Sequence, residues 1–432
     1  MVRMIVALLC LLTAVAHAQL KGEAPDVYEF APALVYKPKY KHDEKRKKII
    51  LNPDFFCSQC AKEGRIKHKH RDELKQVLEM TKKFPIPMDN GEKERRHGRF
   101  RLMDRPAGPI IDFLMKQKKT KSPVFIEDRT FRIFCDLPGF STKKYISPRR
   151  EIELEQLHDI FPKVSKKTVT LNPHQRAHLY LIRAHRILRD FKGLAKADAH
   201  KKDMAFKGPY IGMYEKFEIY IFQRQENMLD FIKSTLGSAD EDGRCWHNLK
   251  DASMSAILHS QKRNDFELNN TFTHRMAYNI ITGYRKYQYD LPTWVALGYA
   301  HLMERRERTD FNTYLLGEQR LPKFPTAKKW KVKIRKLIVS KKVPRSFAEI
   351  AAFEKLSDVV PIEHFMVWSQ MSFLMNRDQE KMGKFINILK DKKTGESTRN
   401  LVIRALRIAY GLSIPVMEEQ WKEWVLSTYP SV

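Results

Sequence analysis

The chain has 432 residues, 80 of them Lys or Arg against 51 Asp or Glu, giving a formal net charge of +29. Hydrophobic residues make up 43%, enough for a sizeable core, so the charge belongs to a folded basic protein rather than to a polycationic tail. Such a field implies anionic surroundings, with an anionic envelope polymer as an expected partner. Nucleic acid is disfavoured because no recognisable nucleic-acid-binding motif is present, and Gly-x-Ser-x-Gly, P-loop and dinucleotide fingerprints are also missing.

The first residues read as a secretory signal. Arg3 supplies a positive start, Ile5 to Val15 an apolar core, and Ala16-His17-Ala18 an A-x-A cleavage site. Cleavage near Ala18 predicts a secreted or periplasmic protein beginning at Gln19. The apolar run is too short to span a membrane comfortably and nothing later matches it, so no transmembrane span is expected in the mature chain. Four cysteines then remain, Cys57, Cys60, Cys135 and Cys245. An even count in an exported protein makes them disulfide candidates, with the pairing left open. Cys57-Ser58-Gln59-Cys60 lacks the following His of a haem attachment site, and a metal site using His68 and His70 is its alternative reading. No cofactor is expected. Residues 19–122 form a basic, partly irregular region, with runs at Lys37–His42 and Lys45–Lys48, a helix expected near Arg71–Lys83 and a short helix ending at Asp112–Met115.

An α/β half is expected over 123–236. Thr130–Cys135 alternates like a strand, and Pro173–Gly193 repeats Ala177, Leu181, Ala184, Ile187, Leu188 and Phe191 at helical spacing. Its histidines, His174, His178 and His185, read as solvent-facing or capping. Phe217–Phe222 predicts a strand and Gln225–Leu236 a helix. Asp240–His247 reads as a turn, and no Glu stands where a calcium loop needs one. Asn269-Asn270-Thr271 is a glycosylation sequon. Beyond Phe311 the chain should be mainly helical. Trp330, Val332 and Ile334 alternate with basic residues as in a strand. Helices are then expected at Phe347–Leu356, Glu363–Leu374, Lys381–Leu389, Thr398–Tyr410 (ended by Gly411) and Val416–Ser427.

Two pieces in 237–310 carry chemical meaning. The first is His274-Arg275-Met276-Ala277-Tyr278, the second Leu291-Pro292-Thr293-Trp294-Val295-Ala296-Leu297-Gly298-Tyr299-Ala300. Together they resemble the gluzincin (peptidase MA-like) metallopeptidases, whose corresponding pieces read HExxH and L-P-x-W-[LV]-x-E-G-x-A. The resemblance implies a zincin-like α+β fold, a small mixed sheet followed by a mainly helical part at 311–432. It also implies a lost site. His274 keeps the first ligand position, Arg275 stands where the general base belongs, Tyr278 replaces the second His and Leu297 the third-ligand Glu. An arginine cannot accept a proton, a phenol titrates near pH ~10, and Leu has no donor atom. The expected protein is therefore a non-catalytic relative with no catalytic or metal-binding residues in the usual places, binding or scaffolding through a vestigial cleft. His274, Arg275, Tyr278, Trp294 and Leu297 would line that cleft and hold an extended peptide. One alternative is a polyanion-binding cell-envelope protein; the other is an active metal-dependent hydrolase or peptidase with relocated ligands. If Thr293–Arg308 is helical, His301 and Glu304 share a face with Leu297 and could join His274, although Glu304 lies ~10 Å further along the axis at ~1.5 Å per residue.

Overall fold

The computed structural model describes residues 40–43, 48–51, 55–57, 59–60, 123–128, 130–144, 150–200, 210–213, 215–236, 241–248, 253–261, 263–285, 291–314 and 329–431. The signal segment, the expected helices near Arg71–Lys83 and Asp112–Met115, and His68 and His70 lie outside them. The chain divides into two units. Of the described residues, those within Leu34–Arg189 and Asp203–Leu268 form one, and those within Asp190–Lys202 and Asn269–Val432 the other.

The first unit is built on a mixed sheet. Its strands are β3 (Phe55–Cys57), β4 (Val124–Asp128), β5 (Phe131–Cys135), β8 (Phe217–Phe222), β9 (Arg244–Asn248) and β10 (Ser253–His259), in the spatial order β3-β4-β5-β8-β10-β9. Strands β5, β8 and β10 run parallel, and the outer pairs are antiparallel. A small hairpin, β1 (Tyr40–Asp43) with β2 (Lys48–Leu51), precedes them, so part of the expected irregular region is ordered. A two-residue pair, β6 (Phe140–Ser141) with β7 (Thr170–Leu171), lies apart from the main sheet.

Strands β5 and β10 are buried at every position, so both faces of the sheet are covered along them. Burial of both faces also buries charge, and that charge is paired. Arg132 lies 3.3 Å from Glu127, 3.5 Å from Glu215 and 3.6 Å from Glu218, and Lys216 donates to Glu127 at 2.6 Å. Helices α1 (Arg150–Ile160), α2 (Pro173–Ala195) and α3 (Gln225–Leu236) accompany the sheet. Met228, Phe231 and Ile232 of α3 pack on Phe134, Phe222 and Ile257. Their spacing of three and one positions draws a single helical stripe.

The second unit is helical: α5 (Thr293–Arg305), α6 (Trp330–Val339), the one-turn α7 (Phe347–Ile350), α8 (Pro361–Arg377), α9 (Gln379–Leu389), α10 (Thr398–Tyr410) and α11 (Ile414–Thr428). Helix α4 (Asp265–Gly283) contributes residues to both units, as does α2. Every residue of α5 is buried. Its Gly298 sets how closely it meets α8, because a β-carbon there would stand 2.7 Å from the Val367 carbonyl oxygen. The other end of the chain is tied down by side chains. Trp421 donates to Ser369 at 2.9 Å, Ser369 bonds Tyr429 at 2.8 Å, and Arg335 donates to the Val425 and Tyr429 carbonyls at 3.4 and 3.1 Å at the end of α11. Gly411, with φ of 72°, takes the left-handed conformation that closes α10.

The architecture is α+β, a mixed sheet followed by a mainly helical part, as expected. Three local expectations fail. The stretch expected to be a turn through His247 becomes a strand immediately after Gly243, because Cys245 and His247 pair with Ala256 and Met254 of β10. Trp330–Arg335 is helix, not strand: Trp330 and Ile334, the buried pair, are four apart on one helical face. The helix from Phe347 stops at Ile350, one turn long, with a 3-10 turn later at Leu356–Asp358. The Asn269 sequon lies buried inside α4, its amide donating to Glu307 at 3.2 Å, which leaves a glycan no room.

Candidate metal centre

Helix α4 starts at a reciprocal cap. The Asn264 side chain accepts from the Phe266 and Glu267 amides at 3.0 and 3.1 Å, and Glu267 accepts from the Asn264 amide at 3.1 Å. Two turns on, α4 carries His274. Helix α5 carries His301 and Glu304, one turn apart, and the first turn of α8 carries His364. All four side chains are fully buried.

The three helices bring these groups together. Ligand-capable atoms of His274, His301 and Glu304 lie within 4.8 Å of one another. His301 Nδ1 is 2.6 Å from Glu304 Oε1, and His301 Nε2 is 2.8 Å from His364 Nδ1. The carboxylate also accepts the Thr313 amide at 3.0 Å. With Nδ1–H given to Glu304, the tautomer of His301 is set and its Nε2 lone pair faces the other imidazoles. The ring centroids of His274 and His301 are 4.7 Å apart, and Trp330 stands edge-on to His301 at 5.3 Å.

His274 differs from its neighbours: neither Nδ1 nor Nε2 has a hydrogen-bond partner. A buried polar atom left unpaired costs about 1–3 kcal/mol, and an imidazole with both nitrogens unpaired asks for a ligand. Burial keeps these rings neutral. Desolvation, then the charge of Arg275 and the proximity of His364, hold His274 well below the ordinary histidine range. Burial, His274, His364 and Arg305 do the same for His301, and burial alone pushes His364 down to about 3. Neutral imidazole is the form that ligates metal. Two further cations near the group are engaged by other partners. Arg305 lies between the rings of Trp330 and Trp368, at 4.3 and 4.6 Å, donating to the Thr309 carbonyl and Asn312 Oδ1 at 3.1 Å each. Arg306 faces Asp190 at 3.5 Å.

A donor set of two imidazoles and one carboxylate suits zinc and neighbouring divalent transition ions. The residues therefore fit a divalent transition-metal ion.

The structure joins the relocated set His274, His301 and Glu304. It leaves the vestigial-cleft set without a shared surface. His274, Arg275, Trp294 and Leu297 are buried and Tyr278 is half-buried. Trp294 packs edge-on against Phe347 and at 6.0 Å from Phe385. His364 was not legible in the sequence, since no spacing links it to His274 or His301.

Among the described residues, Cys57, Cys60, Cys135 and Cys245 form no disulfide. Sheet order explains most of this. Cys135 on β5 and Cys245 on β9 are three strands apart, about 14 Å at ~4.8 Å per strand, and a disulfide needs Cα atoms within about 7 Å. Burial pushes the Cys135 thiol up to about 12. Cys57 and Cys60 face imidazoles instead: His174 Nε2 lies 3.2 Å from each sulfur. The expectation that His174 and His178 face solvent is thereby corrected, as both are buried on the side of α2 that meets the two thiols. His185, about two turns beyond His178, bonds Asp128. No protein-family model and no curated protein matches this chain.

Proposed function

We propose that the chain is an exported relative of the gluzincins that has given up peptide hydrolysis and holds a divalent transition-metal ion on a rebuilt ligand set, His274, His301 and Glu304. The observation that carries this reading is His274, buried with both ring nitrogens unpartnered beside a second imidazole and a carboxylate. The motif resemblance supplies the rest. Its first histidine is kept, and the acidic ligand has moved from position 297 to position 304 along one helical face.

Hydrolysis has no means here. The position of the general base is Arg275, which carries no lone pair to accept a proton. Three protein ligands would leave a fourth coordination position, but all three are fully buried, and the site is read as enclosed rather than open to substrate. The bound ion would hold α4 to α5, and peptide or polymer partners would meet the basic exterior rather than the former cleft.

Metal analysis of protein purified without chelator or histidine tag tests the reading. One equivalent of zinc or a similar ion should be lost on His274→Ala and on Glu304→Gln, while Tyr278→Phe keeps it. Equal metal content in wild type and His274→Ala would sink the proposed site. Peptide hydrolysis that disappears in His274→Ala would overturn the non-catalytic half of the proposal.

A further inference from the structure

Away from the His274 group, in the sheet unit, the structure places a second set of soft and borderline donors. Cys57 ends strand β3, which pairs antiparallel with β4 through Cys57 and Ile126. Cys60 follows in a short helical turn. His174, 114 positions after Cys60, and His178 stand on the first turns of α2, four residues apart and so on one face. We infer that Cys57, Cys60, His174 and His178 form a closed tetrahedral zinc site that fastens the β3 edge of the sheet to α2.

The geometry is that of a coordination shell. Zinc bonds of ~2.3 Å to sulfur and ~2.05 Å to nitrogen, at tetrahedral angles, put sulfur–nitrogen edges near ~3.5 Å and the sulfur–sulfur edge near ~3.8 Å. Cys57 Sγ and Cys60 Sγ are each 3.2 Å from His174 Nε2, and Cys60 Sγ is 3.6 Å from His178 Nε2. All four donor atoms fall within 4.8 Å of one another. Both histidines present the same nitrogen, Nε2, toward the sulfurs. The Cys60 amide points at Cys57 Sγ at 3.5 Å, a contact that stabilises a thiolate rather than a disulfide sulfur.

The surroundings describe a structural site. Both cysteines and His178 are fully buried and His174 nearly so. Phe161 walls the pair, its ring edge-on to His174 at 4.9 Å and to His178 at 5.2 Å. Four protein ligands and no solvent-facing side leave no position for substrate, which separates this set from an open catalytic site. The C-x2-C and H-x3-H spacings are those of two-residue-pair zinc sites, with the two pairs brought together by the fold rather than by a short loop.

X-ray absorption at the zinc edge on the full-length wild-type protein decides the matter, because sulfur and nitrogen shells are resolved. Two sulfurs at ~2.3 Å and two nitrogens at ~2.0 Å are expected for this site, superimposed on the nitrogen and oxygen shell of the His274 group. The His274→Ala variant should keep the sulfur shell intact and lose the other. Cys57→Ser with Cys60→Ser should lose one equivalent of metal and the sulfur shell while keeping the His274-dependent equivalent. A zinc-loaded wild type with no sulfur shell would overturn the inference, and so would a Cys57–Cys60 disulfide found by thiol counting on anaerobically purified, unfolded protein. Because the two sites share no residue, failure here leaves the His274 proposal standing, and the converse holds.

Discussion

Asp136 shows how single groups in this protein set its pH response. It follows β5, is buried, and its Oδ2 atom has no hydrogen-bond partner. Burial raises its pKa to about 6, outweighing the Gln223 amide and Arg224, which pull it down. The folded-state value thus lies above the ordinary carboxylate value of ~3.9. A raised group contributes its stability fully below the unfolded pKa and loses it as pH climbs through the folded one. Asp136→Asn should therefore stabilise the protein above pH ~6, with no gain near pH ~4. Two units nominally correspond to ~3 kcal/mol, and partial solvation reduces this to about 1–2 kcal/mol. Thermal melts of both proteins between pH 4 and 8 would check it. A constant offset across that range would refute the assignment.

Residue-level legibility follows the same logic of local against distant information. His274, His301 and Glu304 could be named from sequence because helical spacing is local: four and seven positions beyond Leu297 return to one face. His364 could not be, and neither could the pairing of Cys57 and Cys60 with His174 and His178. Those partners are joined by tertiary packing over a long stretch of chain, and nothing near them in sequence marks the meeting. The C-x-x-C itself was visible, as was an H-x-x-x-H pair. What was missing was a reason to connect them, since an exported chain with four cysteines also fits disulfides.

Among elements, the contact of α5 with α8 governs the helical unit. Gly298 lets the two backbones approach, and a methyl there would sit 2.7 Å from a carbonyl oxygen and 3.1 Å from the Met371 β-carbon. Gly298→Ala should force the helices apart and destabilise the protein by about 1–3 kcal/mol, the usual effect of overpacking. His301 and His364 lie one turn from this contact on the same two helices, so metal content should fall in parallel. Calorimetry together with metal analysis tests both parts, and an unchanged melting temperature would show that the helices do not depend on the close approach. Helix ends were easier to read than helix identity. Gly411 marks in sequence the end that Thr398–Tyr410 takes in the structure. The Trp330 segment misled because W-K-V-K-I-R alternates, and two apolar residues four apart satisfy both periods; its burial against Phe365 and Trp368 decides for helix.

For the whole molecule, the net charge of +29 makes association with anionic polymer an electrostatic matter, screened over ~10 Å at 0.1 M salt. Retention on an anionic polymer such as polyglutamate should fall at least about tenfold between 50 and 500 mM salt. A salt-independent interaction would point instead to a specific apolar surface. The helical second half was legible because apolar periodicity is strong there, whereas the α+β class came as an implication of the motif resemblance. Among the described residues no single helix is long and apolar enough to cross a membrane.

The indole of Trp330 stands 5.3 Å from His301 while its face carries the Arg305 guanidinium. That placement makes it an optical gauge of the imidazole cluster. A paramagnetic ion such as copper(II) or cobalt(II) seated at His301 would drain the excited state of this ring by short-range quenching, while diamagnetic zinc would leave its emission largely alone. The occupancy of a fully enclosed centre could thus be followed from outside the protein by light, without a label, as ions exchange.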